Sequence, residues 1–508
     1  MKRGLLLMLS LGSTAMVVRA GDGVPSPEKP NILFMVADDL GIGDLGCYGA
    51  SRIKTPNIDR LAARGVRFLD AHATASVCTP SRYAMLTGEN YYKMPNEAGW
   101  EGQLLIPPGM PTVASILKDA GYRTAYFGKW HLGWGISDPG KPRSHRSDWN
   151  WNDGELKPGV LECGFDRFFG TPFSANEPPF VFVDQRTVVA RDPNDPIVVI
   201  GPKETKEGFG WGVSSGAAAA HTARRLDRID FLVADKVCEF IDQNRERPFF
   251  VQFALVAPHV PVAPSAEFQG RSGSGAYGDF IEQMDAAVGR VLDTLEKAGL
   301  DDRTLVVFTS DNGAIGVPYV LAGGHRQNLD YLGQKTDAWE GGVRIPFIAR
   351  WPGKIPADTT CDDLLSLGDC LATFCAAVGA PVPAGAASDS INQLPVLEDP
   401  TRSAVRDEMV YQAIHGRALR SGKWVYIPKP GSLGVTTDPN MGWAMQFGEW
   451  KFVNSDYDKD GNLLPGAPGA QLYDLSSDPS QARNVLKDHL DEAARLGARL
   501  GELDPRSK

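Results

Sequence analysis

Asn31-Ile-Leu-Phe-Met-Val-Ala37 is an almost unbroken apolar run, stopped at once by Asp38-Asp39. A run of strand length without polar alternation suits a strand buried on both faces, the condition of a central strand in a parallel sheet. In open α/β sheets ligands collect beyond the carboxyl ends of the strands, so the acid pair marks a candidate site as well as a strand end. Similar runs lie at 249–256 and 304–309, the second followed by Asp311-Asn312. Helical spacing appears between them, at 57–64, 113–120, 234–244 and 281–298. The alternation predicts an α/β fold: a large mixed, mostly parallel sheet sandwiched by helices.

Four oxygen-bearing side chains at two strand ends, Asp38, Asp39, Asp311 and Asn312, form a hard-ligand set suited to Ca2+ or Mg2+. No Cys/His cluster favours zinc. The same residue types also cap helices and form turns, so neither pair decides the matter alone.

With 508 residues, 43% hydrophobic and 22% charged, the chain has globular composition and room for a large domain with a smaller one packed on it. We expect a catalytic domain over 28–385 and a smaller C-terminal α+β domain over 386–508, separated near the Pro/Ala/Gly-rich stretch 380–387. Strand candidates at 408–412, 418–427 and 471–475 supply its short antiparallel sheet, and 361–378 has a helical pattern. Between 137 and 216 regular patterning fails, which suggests a functional loop region. Trp149 and Trp151 there are candidates either for stacking on sugar rings or for packing.

Residues 1–20, with Lys2-Arg3 ahead of an apolar run and a small-residue end, read as a signal peptide and predict a periplasmic or secreted protein. No later run reaches the roughly 18 apolar residues of a membrane span, so no membrane insertion is expected. A net charge of -10 argues against nucleic acid as a partner. If the substrate is an anion, cations within the pocket must reverse the local field. Seven cysteines leave at least one unpaired, and the spacing fixes no disulfide.

Cys78-Thr79-Pro80-Ser81-Arg82, continuing to Leu86-Thr87-Gly88, resembles the modification signature of the type I, formylglycine-dependent sulfatases, arylsulfatase-like members of the alkaline phosphatase superfamily. The resemblance implies an alkaline phosphatase-like fold and conversion of Cys78 to formylglycine (3-oxoalanine) by a formylglycine-generating enzyme. It adds the modified Cys78 to the ligands of a cation, Ca2+ by family precedent. A thiol would trap sulfur in a stable adduct, whereas a hydrated aldehyde offers one hydroxyl to attack and a second to release sulfate.

Gly128-Lys129-Trp130-His131-Leu132-Gly133 resembles the family segment in which Lys129 would bind sulfate and His131 would hydrogen-bond the formylglycine. Alternation along an extended segment would aim both at one site with Trp130 packed behind. Ala257-Pro258-His259 resembles the segment whose histidine protonates the leaving alkoxide. Lys335, ahead of Trp339-Glu340-Gly341-Gly342-Val343-Arg344-Ile345-Pro346, matches a lysine that contacts sulfate and the bridging oxygen, although Leu332-Gly333-Gln334 lacks the arginine often found before it. Arg82 would anchor the formylglycine and neutralise charge near the metal. The expected function is hydrolysis of a sulfate monoester, on a sulfated small molecule or a carbohydrate. Alternatives are a phosphate or phosphonate monoesterase of the same superfamily and an inactive sulfated-glycan binding protein.

Overall fold

A computed structural model describes residues 29–94, 103–135, 149, 151–194, 196–197, 225–316, 324–437, 454–458 and 462–504. The proposed signal peptide lies outside the described residues.

The main sheet is built on β1 (Asn31–Asp38), β2 (Val66–Phe68), β4 (Arg123–Lys129), β5 (Arg167–Thr171), β6 (Val183–Asp184), β7 (Thr187–Val188), β8 (Phe249–Pro258), β9 (Thr304–Ser310), β10 (Phe347–Arg350) and β11 (Thr359–Cys361). Its order is β11-β2-β10-β9-β1-β8-β4-β5-β6-β7. The central strands β9, β1, β8, β4 and β5 are parallel, while β10, β6 and β7 run antiparallel to neighbours. A two-stranded pair, β3 (Ala71–His72) with β12 (Leu365–Ser366), stands apart.

The apolar run Asn31–Ala37 forms β1, central and fully buried. Ile32, Phe34 and Val36 enter one core layer, and Leu33, Met35 and Ala37 enter the other. Helices cover both faces; Ile229–Gln243 and Gly275–Lys297 pack on the second. Both begin five or six residues before the expected helical stretches, because their N-terminal residues include buried polar groups, Asp230 and Asp279, that apolar periodicity ignores.

The small sheet is antiparallel in the order β13 (Glu408–Ala413), β14 (Gly416–Ser421), β15 (Trp424–Ile427) and β16 (Gln471–Asp474). Here the single strand expected over 418–427 is two strands of a hairpin that turns at Gly422, whose φ is 53°. Helix Leu490–Leu503 lays Leu496 and Leu500 against Val410, Leu419 and Leu472 of this sheet. The helical pattern expected from 361 begins only at Cys370; the preceding residues form the β12 strand and a short 3-10 turn, with Asp369 receiving Arg406. The expected loop region contains β5, β6 and β7, whose short strands give too few alternations to be read. All seven cysteines are free thiols.

Candidate active site

Asp38, Asp39, Lys129, His131, His259, Asp311 and Asn312 lie at the carboxyl ends of the central strands or just beyond them, and the helix of Cys78 and Arg82 and the loop of Lys335 come to the same edge. Asp38 ends β1, and Asp39 follows in the left-handed conformation at φ 64°, which turns its carboxylate back over the sheet edge. Asp311 and Asn312 follow β9, the parallel neighbour of β1. The Asp39 backbone N–H donates to Asp311 Oδ1 at 3.2 Å, and Asn312 Nδ2 donates to Asp39 Oδ1 at 2.8 Å.

Cys78 is the first residue of helix Cys78–Thr87, which is buried along its whole length. Pro80 falls in the first turn, where no intrahelical donor is lost. The Ser81 hydroxyl donates to the Ala75 carbonyl at 2.9 Å and accepts the Ala75 N–H at 3.2 Å, tying down the chain that enters the helix. Gly88 closes it at φ 66°, donating its N–H to Ala84 O at 2.8 Å. The signature around Cys78 is therefore also a scheme for seating the helix N-terminus, with its favourable field for anions, against the two acid pairs.

Arg82, one turn on, binds Asp311 Oδ2 through Nε at 2.9 Å and Nη2 at 2.8 Å, and donates from Nη1 to the Lys129 carbonyl at 3.1 Å. Lys129 Nζ bonds both oxygens of Asp38 at 2.8 Å, and Lys335 Nζ meets the Asp39 carboxylate at 2.7 Å. Burial opposes ionisation of Asp38, but Lys129, His259 and Arg82 hold its pKa down to about 2. Asp39 is likewise lowered against burial, chiefly by Lys335. The interior of this acidic protein is locally cationic toward position 78: against burial, Lys129, His131 and Lys335 lower the Cys78 thiol.

His131 Nδ1 lies 3.2 Å from Cys78 Sγ. The segment carrying it is not extended throughout; His131 has φ 57°, and this twist, rather than simple alternation, brings Lys129 and His131 together while Trp130 packs in the core. On the far side of the ring Nε2 lies 3.6 Å from Glu177 Oε1. Burial opposes charge on His131, yet Cys78 and Glu177 raise it above the ordinary imidazole value. Glu177 sits in an irregular Pro-rich stretch without a recognisable pattern, and sequence reasoning missed it. His259 places Nε2 3.5 Å from Asp39 Oδ2 and Nδ1 2.6 Å from the Val260 carbonyl; burial and Lys335 outweigh Asp39 and lower its pKa.

Trp151 is buried, with its ring 5.3 Å from that of Trp149, and both pack on Phe173. Of the two readings of Trp151, packing holds: it is core behind His131, whose ring meets Phe173 edge to face. The Trp-Glu-Gly-Gly-Val-Arg segment is the seam between the two sheets. Trp339 donates from Nε1 to Gln471 at 3.0 Å, the Glu340 N–H donates to Gln481 at 2.7 Å, and Arg344 clasps Glu340 and Asp70, which Arg420 of β14 also reaches.

Three carboxylates, the Asn312 amide and the buried Cys78 thiol, ringed by cations at the end of a mostly parallel sheet, suit the hydrolysis of an anionic ester on the alkaline phosphatase-like fold. The family model for sulfatases matches residues 30–380, and the chain belongs to the sulfatase family, the sulfuric ester hydrolases. It is 34% identical to an N-acetylgalactosamine-6-O-sulfatase of Bacteroides thetaiotaomicron over 96% of this chain and 95% of that protein. Human arylsulfatase A is 33% identical, over 93% and 86% respectively. A solved B. thetaiotaomicron sulfatase from work on the metabolism of glycosaminoglycans superposes with a TM-score of 0.79 at 34% identity, covering 94% of this chain and 99% of that one.

Proposed function

We propose that this sulfatase cleaves a sulfate monoester of a sugar, outside the cytoplasm, with Cys78 matured to formylglycine by a formylglycine-generating enzyme. The observation that carries the reading is the convergence on Cys78 of Lys129, Lys335, His131 and Arg82 beside the acid pairs. The match to an N-acetylgalactosamine-6-O-sulfatase along nearly the whole of both chains supports a carbohydrate ester. The Lys2-Arg3 start and the apolar run after it support export to the periplasm or medium.

The donor set fits a hard divalent cation, Ca2+ with Mg2+ as the alternative. Asp38, Asp39 and Asp311 would hold it together with Asn312, whose buried Oδ1 has no hydrogen-bond partner in the structure. The cation would supply Lewis-acid activation of the nucleophile at position 78 and neutralise the acid cluster. The modified residue would supply, as its hydrate, two hydroxyls on one carbon.

The chain's own groups then divide the work. Lys129 and Lys335 bind the sulfuryl oxygens, with charges fixed in place before the reaction so that no reorganisation is needed. Arg82 holds Asp311 and the Lys129 carbonyl at once, fixing β4 against the helix of Cys78. His131 takes the proton of the releasing hydroxyl at Nδ1. His259 must carry hydrogen on Nδ1 to bond the Val260 carbonyl, so it gives up a proton from Nε2 to the leaving alkoxide only as the imidazolium, with the Asp39 carboxylate beside Nε2 favouring that charge, and is left as the neutral Nδ1–H ring.

Mass spectrometry of the Cys78 peptide after co-expression with a formylglycine-generating enzyme, together with sulfate release from N-acetylgalactosamine 6-sulfate, tests the reading. Aldehyde at position 78 and loss of turnover in Cys78→Ala are expected. Turnover surviving in Cys78→Ala would refute the nucleophile assignment, and a mature N-terminus still at Met1 would refute export.

A further inference from the structure

Between β1 and β8 the register slips: Val36 pairs with Ala254, but Asp38 pairs with Pro258. The pairing of β8 with β4 also ends at Ala254. β8 therefore bulges over its last turn of chain, and the backbone N–H groups of Val256 and Ala257, both buried, leave the ladder. Buried donors of this kind need partners. Asp230, in the first turn of helix Ile229–Gln243, takes both: Oδ1 accepts from Val256 N at 2.8 Å and Oδ2 from Ala257 N at 2.9 Å. The next links lead to the site, because the His259 N–H donates to Val256 O at 3.1 Å. Burial pushes the Asp230 carboxyl up to about 6 even with those two donors lowering it, so the group is kept at an energetic cost.

We propose that Asp230 is a positioning residue, a carboxylate clamp on the bulge of β8 that sets where His259 delivers its proton. The proposal rests on the reading of His259 as the acid for the leaving group. An asparagine is isosteric but has one acceptor, and its NH2 would face the second backbone donor.

The test compares Asp230→Asn and His259→Ala on a sugar sulfate, whose alkoxide needs a proton to leave, and on an activated aryl sulfate, whose phenolate does not. A clamp acting through His259 lowers kcat on the sugar ester on the order of 10-fold or more, while KM and the aryl-ester rate stay within about 3-fold, the same selectivity as His259→Ala shows. Equal losses on both esters in Asp230→Asn, beside a selective loss in His259→Ala, overturn the clamp and leave the role of His259 standing. Equal losses in His259→Ala overturn that role, and the clamp with it. Should Asp230→Asn fail to fold by circular dichroism, Asp230→Glu, which keeps both acceptors one methylene further out, is read in the same way. An unfolded Glu variant assigns Asp230 to stability alone and overturns the proposal.

Discussion

Gly128→Ala adds one methyl group at the strand end that delivers Lys129, and the structure sets how much it must cost. Gly128 has φ 112°, and a Cβ there would stand 1.8 Å from the Ala254 carbonyl oxygen and 2.7 Å from its carbon. Restoring even a 3.0 Å contact requires β4 and β8 to part by about 1.2 Å. The Gly128 side of β4 cannot retreat freely, because a Cβ on Gly170 of β5 would itself lie 1.8 Å from the Gly128 oxygen, a measure of how closely the three backbones are stacked. Left-handed backbone costs an L-residue roughly 1–2 kcal/mol, and a buried ladder group pulled from its partner costs about 1–3 kcal/mol. Together a loss of roughly 2–5 kcal/mol in stability is expected. A displacement near 1 Å also moves Lys129 off Asp38 and off the sulfate position, where such shifts cost about 100-fold in rate. Urea denaturation followed by tryptophan fluorescence and sulfate release under saturating substrate measure the two effects. Gly121→Ala is the control: its φ is 91°, but an added Cβ meets nothing within 4 Å, so it carries the conformational term alone. Gly128→Ala with the midpoint and turnover of Gly121→Ala would refute the steric argument.

Glu340 and Asp70 make the stability of the seam acid-sensitive. Burial would raise Glu340, but Arg344 and His72 hold it well below the usual carboxylate range, and Arg344, His72 and Arg420 do the same for Asp70. Both are depressed in the fold, so their contribution is complete above their ordinary values near pH 4 and is lost as pH falls through the folded values. Glu340→Gln should cost about 3–5 kcal/mol at neutral pH, with the gap to the parent closing below about pH 4 in denaturation titrations; a gap that stays constant with pH would count against the network. Chelation should abolish sulfate release and lower the melting temperature, with Ca2+ restoring both, as followed by calorimetry and ion chromatography. Trp151→Ala should lose about 3–5 kcal/mol and equal shares of activity on a small aryl sulfate and a sulfated polysaccharide, since it empties core; a selective loss on the polysaccharide would return Trp151 to the sugar site.

The centre of the fold was legible because β1, β8 and β9 are buried on both faces and so read as continuous apolar runs. The acid pairs of the candidate site were legible for a related reason, since they directly follow β1 and β9, whereas Cys78, Arg82, Lys129, His131, His259 and Lys335 stood out only by their resemblance to the family's motifs. What escaped was whatever depends on partners distant in sequence. Glu177 faces His131 from a stretch without periodicity, and Asp230 serves a bulge that exists only once β8 lies between β1 and β4. The hairpin turn at Gly422 was passed over although Arg420-Ser421-Gly422-Lys423 breaks the apolar pattern with turn-forming residues, and Trp151 was weighed as a binding residue because composition does not distinguish a buried aromatic from a presented one.

The ion pair between Arg82 and Asp311 spans 229 residues of chain. A chain made at about 5–20 residues per second leaves Arg82 without that partner for roughly 10–50 s. During that interval the segment from Cys78 to Thr87 has no pocket to enter, whereas in the finished protein all ten of its residues are buried. If Cys78 is matured as proposed, that step is a race against closure, open to an enzyme that reads an extended peptide and shut to one that arrives after the sheet is complete. A slower fold lengthens the opening, so a variant that delays β9 would be modified more fully, and one that speeds it less.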